Sequence, residues 1–283
     1  MASPKENRRK IGRPDSRLDR VMVAQGLAPT RAKAQALIMA GHVRVNDTVV
    51  TKAGTAVKED DRLTVQGILN PYASRGGLKL EGALKAFALD PQGWNIVDVG
   101  ASTGGFTDCW LQHGANHVWA VDVGYGQLDW RLRNDPRVTV LERTNARWLT
   151  RQDLSSPELL DAASIDASFI GMALLLQPLL SILKPDGLVV GLVKPQFEAG
   201  RTKVGKGGVV RDRAVHEEVL TRFAAQVETA GYALLGLAPS PIRGPEGNIE
   251  FLSLLAVGTP PYAVIAPNIS QVVELAWGGG EAL

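Results

Sequence analysis

The sequence predicts an α/β protein: a Rossmann-like, doubly wound and mostly parallel sheet in the larger part of the chain, preceded by a small α+β module. Apolar runs at 96–99, 118–121, 138–141, 188–193 and 250–257 alternate with segments of helical spacing, the pattern of strands joined by crossover helices. The first run ends in an acid and a glycine-rich turn, Asp98-Val99-Gly100-Ala101-Ser102-Thr103-Gly104-Gly105-Phe106. Such a turn brings backbone close to a ligand and opens onto a helix N-terminus that attracts negative charge. Charge separates the smaller module. Residues 1–79 hold fifteen Lys/Arg against seven Asp/Glu, a balance of +8, and the remainder sixteen against twenty-two, a balance of −6.

A chain of 283 residues has room for two domains. One cysteine, Cys109, excludes an internal disulfide framework, and four scattered histidines give no metal-ligand spacing, so no metal is expected. The N-terminus is polar, without an apolar signal region, and no stretch is long enough to span a bilayer. The longest apolar segment, 172–183, is interrupted by Pro178 and reads as a buried helix. These features point to a cytoplasmic protein without a membrane partner.

Taken in order, residues 1–15 read as a disordered basic leader. A helix follows from Ser16, capped by Asp15 or Ser16 and ended by Gly26. A second helix runs from Thr30, its cap, to Ala40, with Gly41 as the stop. A hairpin over 43–50 turns at Asn46-Asp47. Arg31, Lys33 and Arg44 are expected to gather across the second helix and first strand, as phosphate-contacting residues do. The module is placed at 16–66, a linker at 67–73, the larger domain at 74–260 and a C-terminal tail at 261–283.

In the larger domain, helices are expected at Glu81–Leu89, Gly105–His113 and Ala214–Gly231, with a weaker strand at 162–165. Ligands bind at the carboxyl ends of such strands, so Asp98, Asp122, Asp166 and Lys194, which close four of the runs, are the candidates. Asp122 follows Gly105 by about seventeen residues, a spacing that suits a carboxylate on two ribose hydroxyls. The pattern means a nucleoside cofactor, and by itself fits a nicotinamide nearly as well as S-adenosylmethionine. Glu250 opens the last strand at the cleft, so that strand should run antiparallel, as at the edge of a mixed sheet.

The N-terminal residues Arg17-Leu18-Asp19, Thr30-Arg31-Ala32-Lys33-Ala34 and Gly41-His42-Val43-Arg44-Val45-Asn46 resemble the S-four, or αL, RNA-binding module. In the larger domain the phrases from Asp98 to Asp108, Ala120 to Leu128, Leu141 to Arg147, Asp166 to Ile170, Val193 to Gly200 and Gly244 to Phe251 resemble the TlyA family. That family comprises ribosomal-RNA (cytidine) 2′-O-methyltransferases, some of them labelled hemolysins, with a catalytic domain like that of FtsJ/RrmJ enzymes.

The resemblance implies S-adenosylmethionine as cofactor and ribosomal RNA or ribosomal subunits as partner. It also implies a catalytic tetrad of Lys79, Asp166, Lys194 and Glu250. Asp98, Gly100, Ser102, Gly104, Gly105, Phe106, Asp122 and Asn145 would bind the cofactor, and Arg17, Arg31, Lys33 and Arg44 the RNA.

The chemistry agrees with that set. A ribose 2′-hydroxyl is a weak acid, so its proton must leave as the methyl carbon is attacked. Lys194 is the expected base, Asp166 and Glu250 orient, and Lys79 steadies the developing alkoxide. Glycine-flanked basic residues after Lys194 (Arg201, Lys203, Lys206) read as a flap near phosphates. Three rivals remain at this level: a nicotinamide-dependent oxidoreductase, a non-enzymatic RNA-binding assembly factor, and a membrane-active hemolysin.

Overall fold

The computed structural model describes residues 17–28, 30–65, 70–168, 171–258 and 267–278. The chain divides into two compact units at Leu69/Asn70. The expected leader, the caps Asp15 and Ser16, and most of 261–268 and 279–283 lie outside the described residues.

In the first unit, α1 (Leu18–Ala24) and α2 (Arg31–Met39) precede a three-stranded antiparallel sheet of β1 (Val43–Val45), β2 (Thr48–Val49) and β3 (Leu63–Val65), in the order β2-β1-β3. Arg17, not Asp15 or Ser16, is the N-cap of α1, and it supplies no side-chain cap bond. Thr30 caps α2 by accepting from Lys33 N at 3.2 Å. Asn46 and Asp47 both adopt positive φ (49° and 67°), which a tight hairpin turn requires. Leu18, Met22, Ala34, Ile38, Val43 and Val57 form this unit's core. The third strand escaped the sequence reading because Leu63-Thr64-Val65 is too short to show a period.

The second unit runs α3 (Gly76–Ala86), β4 (Asn95–Val99), α4 (Gly105–Gln112), β5 (His117–Val121), α5 (Trp130–Arg133), β6 (Val138–Leu141), α6 (Arg151–Leu154), β7 (Leu160–Ile165), α7 (Ala173–Leu179), β8 (Leu183–Val193), α8 (Pro195–Glu198), α9 (Arg213–Thr229), β9 (Tyr232–Pro239), β10 (Phe251–Val257) and α10 (Ile269–Gly278). Its sheet has the order β6-β5-β4-β7-β8-β10-β9. Strands β4 to β8 pair in parallel and β10 is antiparallel to both neighbours. The last strand therefore has the expected direction but not the expected place. It fills the slot between β8 and β9, and β9 forms the edge, because Phe251-Leu252-Ser253-Leu254-Leu255 is buried on both faces.

Three boundaries move. The first helix begins at Gly76, five residues before the expected Glu81, and Gly77 fits where a larger residue cannot: a Cβ there would lie 2.2 Å from the Tyr72 ring. Residues 70–73, placed in the linker, belong to the second unit: Tyr72 is buried in its core and Ala73 N donates to Asp108 Oδ2 at 2.8 Å. Part of the presumed tail is the helix α10, which buries Val272 and Val273 in the main core.

Candidate active site

Four elements deliver one side chain each to the carboxyl end of the parallel strands. Lys79 sits in the first turn of α3, whose Leu80, Ala83 and Leu84 are anchored in the core. Asp166 follows β7 and is tied to β4 by its backbone N–H, which donates to Val99 O at 3.0 Å. Lys194 follows β8. The register that sets Phe251 opposite Val193 brings Glu250 in where Lys194 leaves, so antiparallel pairing puts two distant residues side by side.

The result is two ion pairs: Lys79 Nζ to Glu250 Oε2 at 2.6 Å and Lys194 Nζ to Asp166 Oδ1 at 2.5 Å. Both lysines are 7% exposed and Glu250 is 1% exposed, so these charges are held by partners and not by water. Gln196 Nε2 donates to the other Glu250 oxygen at 3.0 Å, and Lys194 Nζ donates to Ser168 Oγ at 3.1 Å. Gly244 leaves room for the Glu250 carboxylate, since a Cβ there would lie 2.2 Å from Oε1.

All four side chains line a cavity of about 610 Å³ that is lined as well by the turn Gly100–Thr103 with Gly105 and Phe106. That volume is within the range of small-molecule sites. Gly100 has φ of +82° and lies against Asp166 O, 2.9 Å from where a Cβ would stand; glycine thus lets the ends of β4 and β7 close on each other. Gly104, φ +92°, is the N-cap of α4, and a Cβ there would meet Leu132 at 2.3 Å and Leu128 at 2.8 Å. It shapes the turn and packs it, outside the cavity lining.

Other expected cofactor residues are placed differently from one another. Asp122 stands at the end of β5, accepting from Ser102 N at 2.8 Å and Gly124 N at 2.7 Å, in a small hollow that shares Ala101 and Ser102 with the main cavity. Asp98 does not line the cavity. Strand alternation turns it to the face of Ile96 and α4, where it is fully buried and accepts from the hydroxyls of Thr107 and Ser164, both at 2.7 Å. Burial pushes its carboxyl up to about 6. It ties β4 to α4 and β7. Asn145 also lines neither hollow; its side chain accepts from Arg147 N at 3.1 Å and caps the short 3₁₀ turn Ala146–Trp148.

The sequence reading missed Ser168, Gln196 and Asn248. Gln196 stands inside the quoted phrase after Lys194, but nothing in its spacing signals a bond to Glu250. Asn248 pins the glycine loop: its Nδ2 donates to Gly208 O at 2.9 Å and its Oδ1 accepts from Val210 N at 3.1 Å. Lys203 in that loop is paired with Glu218, which removes it from the set of open cations.

In the first unit, Arg17 and Arg31 converge on the buried carboxylate of Asp19, at 3.0 and 2.8 Å, with Gln35 Nε2 also at 2.8 Å. Arg44 donates to Asp47 O at 2.7 Å. The contacts therefore gather Arg17 with Arg31, while Lys33 and Arg44 are half-buried on separate elements. Among the described residues no group of three or more His, Cys, Asp or Glu could hold a metal ion, and no helix is long and apolar enough to cross a membrane.

Comparison with known proteins agrees with this architecture. The profile of FtsJ-like methyltransferases matches residues 72–256 and that of the S4 domain residues 16–63. An rRNA methyltransferase from Bacillus subtilis (strain 168), provisionally so named and called YqxC, is 51% identical over 83% of this chain and 84% of its own length. The 16S/23S rRNA (cytidine-2′-O)-methyltransferase TlyA of Mycobacterium tuberculosis (strain CDC 1551 / Oshkosh) is 45% identical over 94% of this chain and 98% of its own. A solved structure from Streptococcus thermophilus, provisionally named a hemolysin, superposes with a TM-score of 0.74 at 44% identity, covering 94% of this chain and 96% of that one. With an S4 domain joined to an FtsJ-like methyltransferase domain and full-length likeness to TlyA, the chain belongs to the TlyA family.

Proposed function

We propose that this protein transfers the methyl group of S-adenosylmethionine to the 2′-hydroxyl of a cytidine in ribosomal RNA, and does so in the cytoplasm. The observation that carries this reading is the convergence of two lysine–carboxylate pairs, both lysines buried, on one cavity that a glycine-rich turn also lines. The turn and the Asp122 carboxylate suit a nucleoside: backbone at Gly100–Ser102 admits close approach, and Asp122 is already oriented by two backbone N–H groups. When bound, S-adenosylmethionine supplies an electrophilic methyl on a positively charged sulfur.

The remaining work belongs to side chains. Lys194 takes the proton of the 2′-hydroxyl once it has passed its own to solvent, and Asp166 Oδ1, 2.5 Å away, steadies the ammonium before and after. Lys79 offers its ammonium to the developing alkoxide, held in place by Glu250, which Gln196 orients in turn. Burial of these groups keeps water from competing for the methyl. Arg17 and Arg31, half-exposed around Asp19, with Lys33 and Arg44, supply sequence-independent phosphate contacts from the S4 domain.

The test is to map 2′-O-methylated positions in ribosomal RNA from cells with and without the protein, and to repeat the transfer with Lys194→Ala. That variant should lose about a thousandfold in rate, the scale of a removed general base, while still binding S-adenosylmethionine in calorimetry. Full transfer by the variant removes Lys194 as base. A purified protein that binds RNA but transfers no methyl returns the reading to a non-enzymatic assembly factor.

A further inference from the structure

We infer that Arg75 and Arg243 form a subsite for the phosphodiester on the 3′ side of the target ribose; this rests on the 2′-O-methyltransferase reading above. Arg75 is the N-cap of α3 and precedes Lys79 by four residues, about one helical turn. Arg243 lies on the loop that leads into Glu250. The two segments that deliver the buried Lys79–Glu250 pair thus also deliver an arginine each, further toward solvent. Both line the cavity and both are exposed.

Hydrogen bonds fix both to the loop that leads into Glu250. Arg75 Nη2 donates to the backbone oxygen of Arg243 at 3.3 Å, and Arg243 Nη1 donates to Gly247 O at 3.3 Å. Among the described residues neither guanidinium has a carboxylate within ion-pair distance, in contrast to Arg17, Arg31, Arg131, Arg133 and Arg137, each bound to an acid. The acids on the cavity floor, Asp166 and Glu250, are already taken by lysines, and Glu246 on the rim pairs with neither arginine. Two cations on one rim without an anion make that rim attractive to one. A phosphate supplies it, and guanidinium forks match its oxygens.

Substrate chemistry supplies such an anion at this spot. Within an RNA chain the carbon adjacent to the one bearing the 2′-hydroxyl carries the 3′-phosphodiester. A ribose presented to Lys79 and Lys194 therefore brings its own phosphate to the mouth of the site, where the arginines stand.

The experiment compares the full-length protein with Arg75→Gln, Arg243→Gln and the double variant, using a short oligocytidylate as probe. Affinity is measured across a salt series. Loss of one phosphate contact to a single strand should flatten the plot of log affinity against log salt by about 0.7, so the double variant, which empties a subsite for one phosphodiester, by about 0.7 and each single variant by no more. KM for ribosomal RNA should rise, with S-adenosylmethionine affinity unchanged. Unchanged salt slopes overturn the subsite, as does a fall confined to cofactor affinity, which would place the arginines on the cofactor's carboxylate. Displacement of the oligonucleotide by inorganic phosphate at equal concentration overturns a polynucleotide as the source of the anion. Methyl transfer by the unaltered chain is scored separately: its absence defeats the activity, whereas flat slopes with normal transfer defeat only the subsite.

Discussion

Asp98 makes the stability of the catalytic domain depend on pH in a direction unusual for a carboxylate. Its carboxyl is fully buried and raised to about 6, first by burial, with the neighbouring charge of Asp166 adding to it against two hydroxyl hydrogen bonds. The folded form thus holds a proton that the unfolded chain has released, and stability falls as pH rises through this window. A shift from 3.8 to about 6 corresponds to about 3 kcal/mol, of which about 2 kcal/mol is lost between pH 4 and pH 7.

Asp98→Asn removes the titration while leaving an amide oxygen to accept from one hydroxyl. Urea unfolding followed by tryptophan fluorescence reads the catalytic domain alone, because all six tryptophans lie beyond residue 90. The stability difference, variant minus parent, should grow by about 2 kcal/mol from pH 4 to pH 7. A difference that stays constant across that range would refute the argument that the protein carries an uncompensated buried charge at neutral pH.

Further outcomes follow from other sites. Asp122→Ala should weaken S-adenosylmethionine binding by about 2 kcal/mol in calorimetry, the scale of a lost charged hydrogen bond; an equal dissociation constant would place the ribose elsewhere. Gly100→Ala, at φ +82° and 2.9 Å from Asp166 O, should cost about 2 kcal/mol in thermal unfolding and depress both cofactor binding and rate, because it pushes Asp166 away from Lys194. Asp19→Ala leaves Arg17 and Arg31 without their shared partner. Limited proteolysis should then cut the first unit faster, and affinity for ribosomal RNA should drop with the catalytic domain's melting unchanged. The carboxyl of Asp19 is held well below the usual range by Arg17 and its other donors, so the parent should lose the same order as pH falls toward that depressed value.

Much of this was legible in the chain because strand ends are marked by chemistry. Asp122, Asp166 and Lys194 each stop an apolar run, and a parallel sheet aligns such stops along one edge, so their convergence needs no knowledge of side-chain detail. Direction was readable for β10 because Glu250 opens its run where the others close. Its position was not, since order within a sheet depends on where α9 carries β9, and a run of apolar residues looks alike at an edge or inside. Asp98 misled for a related reason: it shares the strand-and-turn signature of a ligand-facing acid, but alternation sends its side chain to Thr107 and Ser164. Gln196 and Asn248 were silent because amides leave no charge pattern, and their roles come from partners fifty-four and forty residues away in sequence.

The insertion of β10 between β8 and β9 has a consequence for how the protein is born. The innermost ion pair joins Lys79 to Glu250, 171 residues apart, and Glu250 is set only when the final strand pairs with β8 on one side and β9 on the other. Contacts of such separation form late in folding. A ribosome making this chain has thus released nearly the whole catalytic domain before the machinery it encodes can operate, and any chain cut short ahead of that strand is a scaffold without a catalyst.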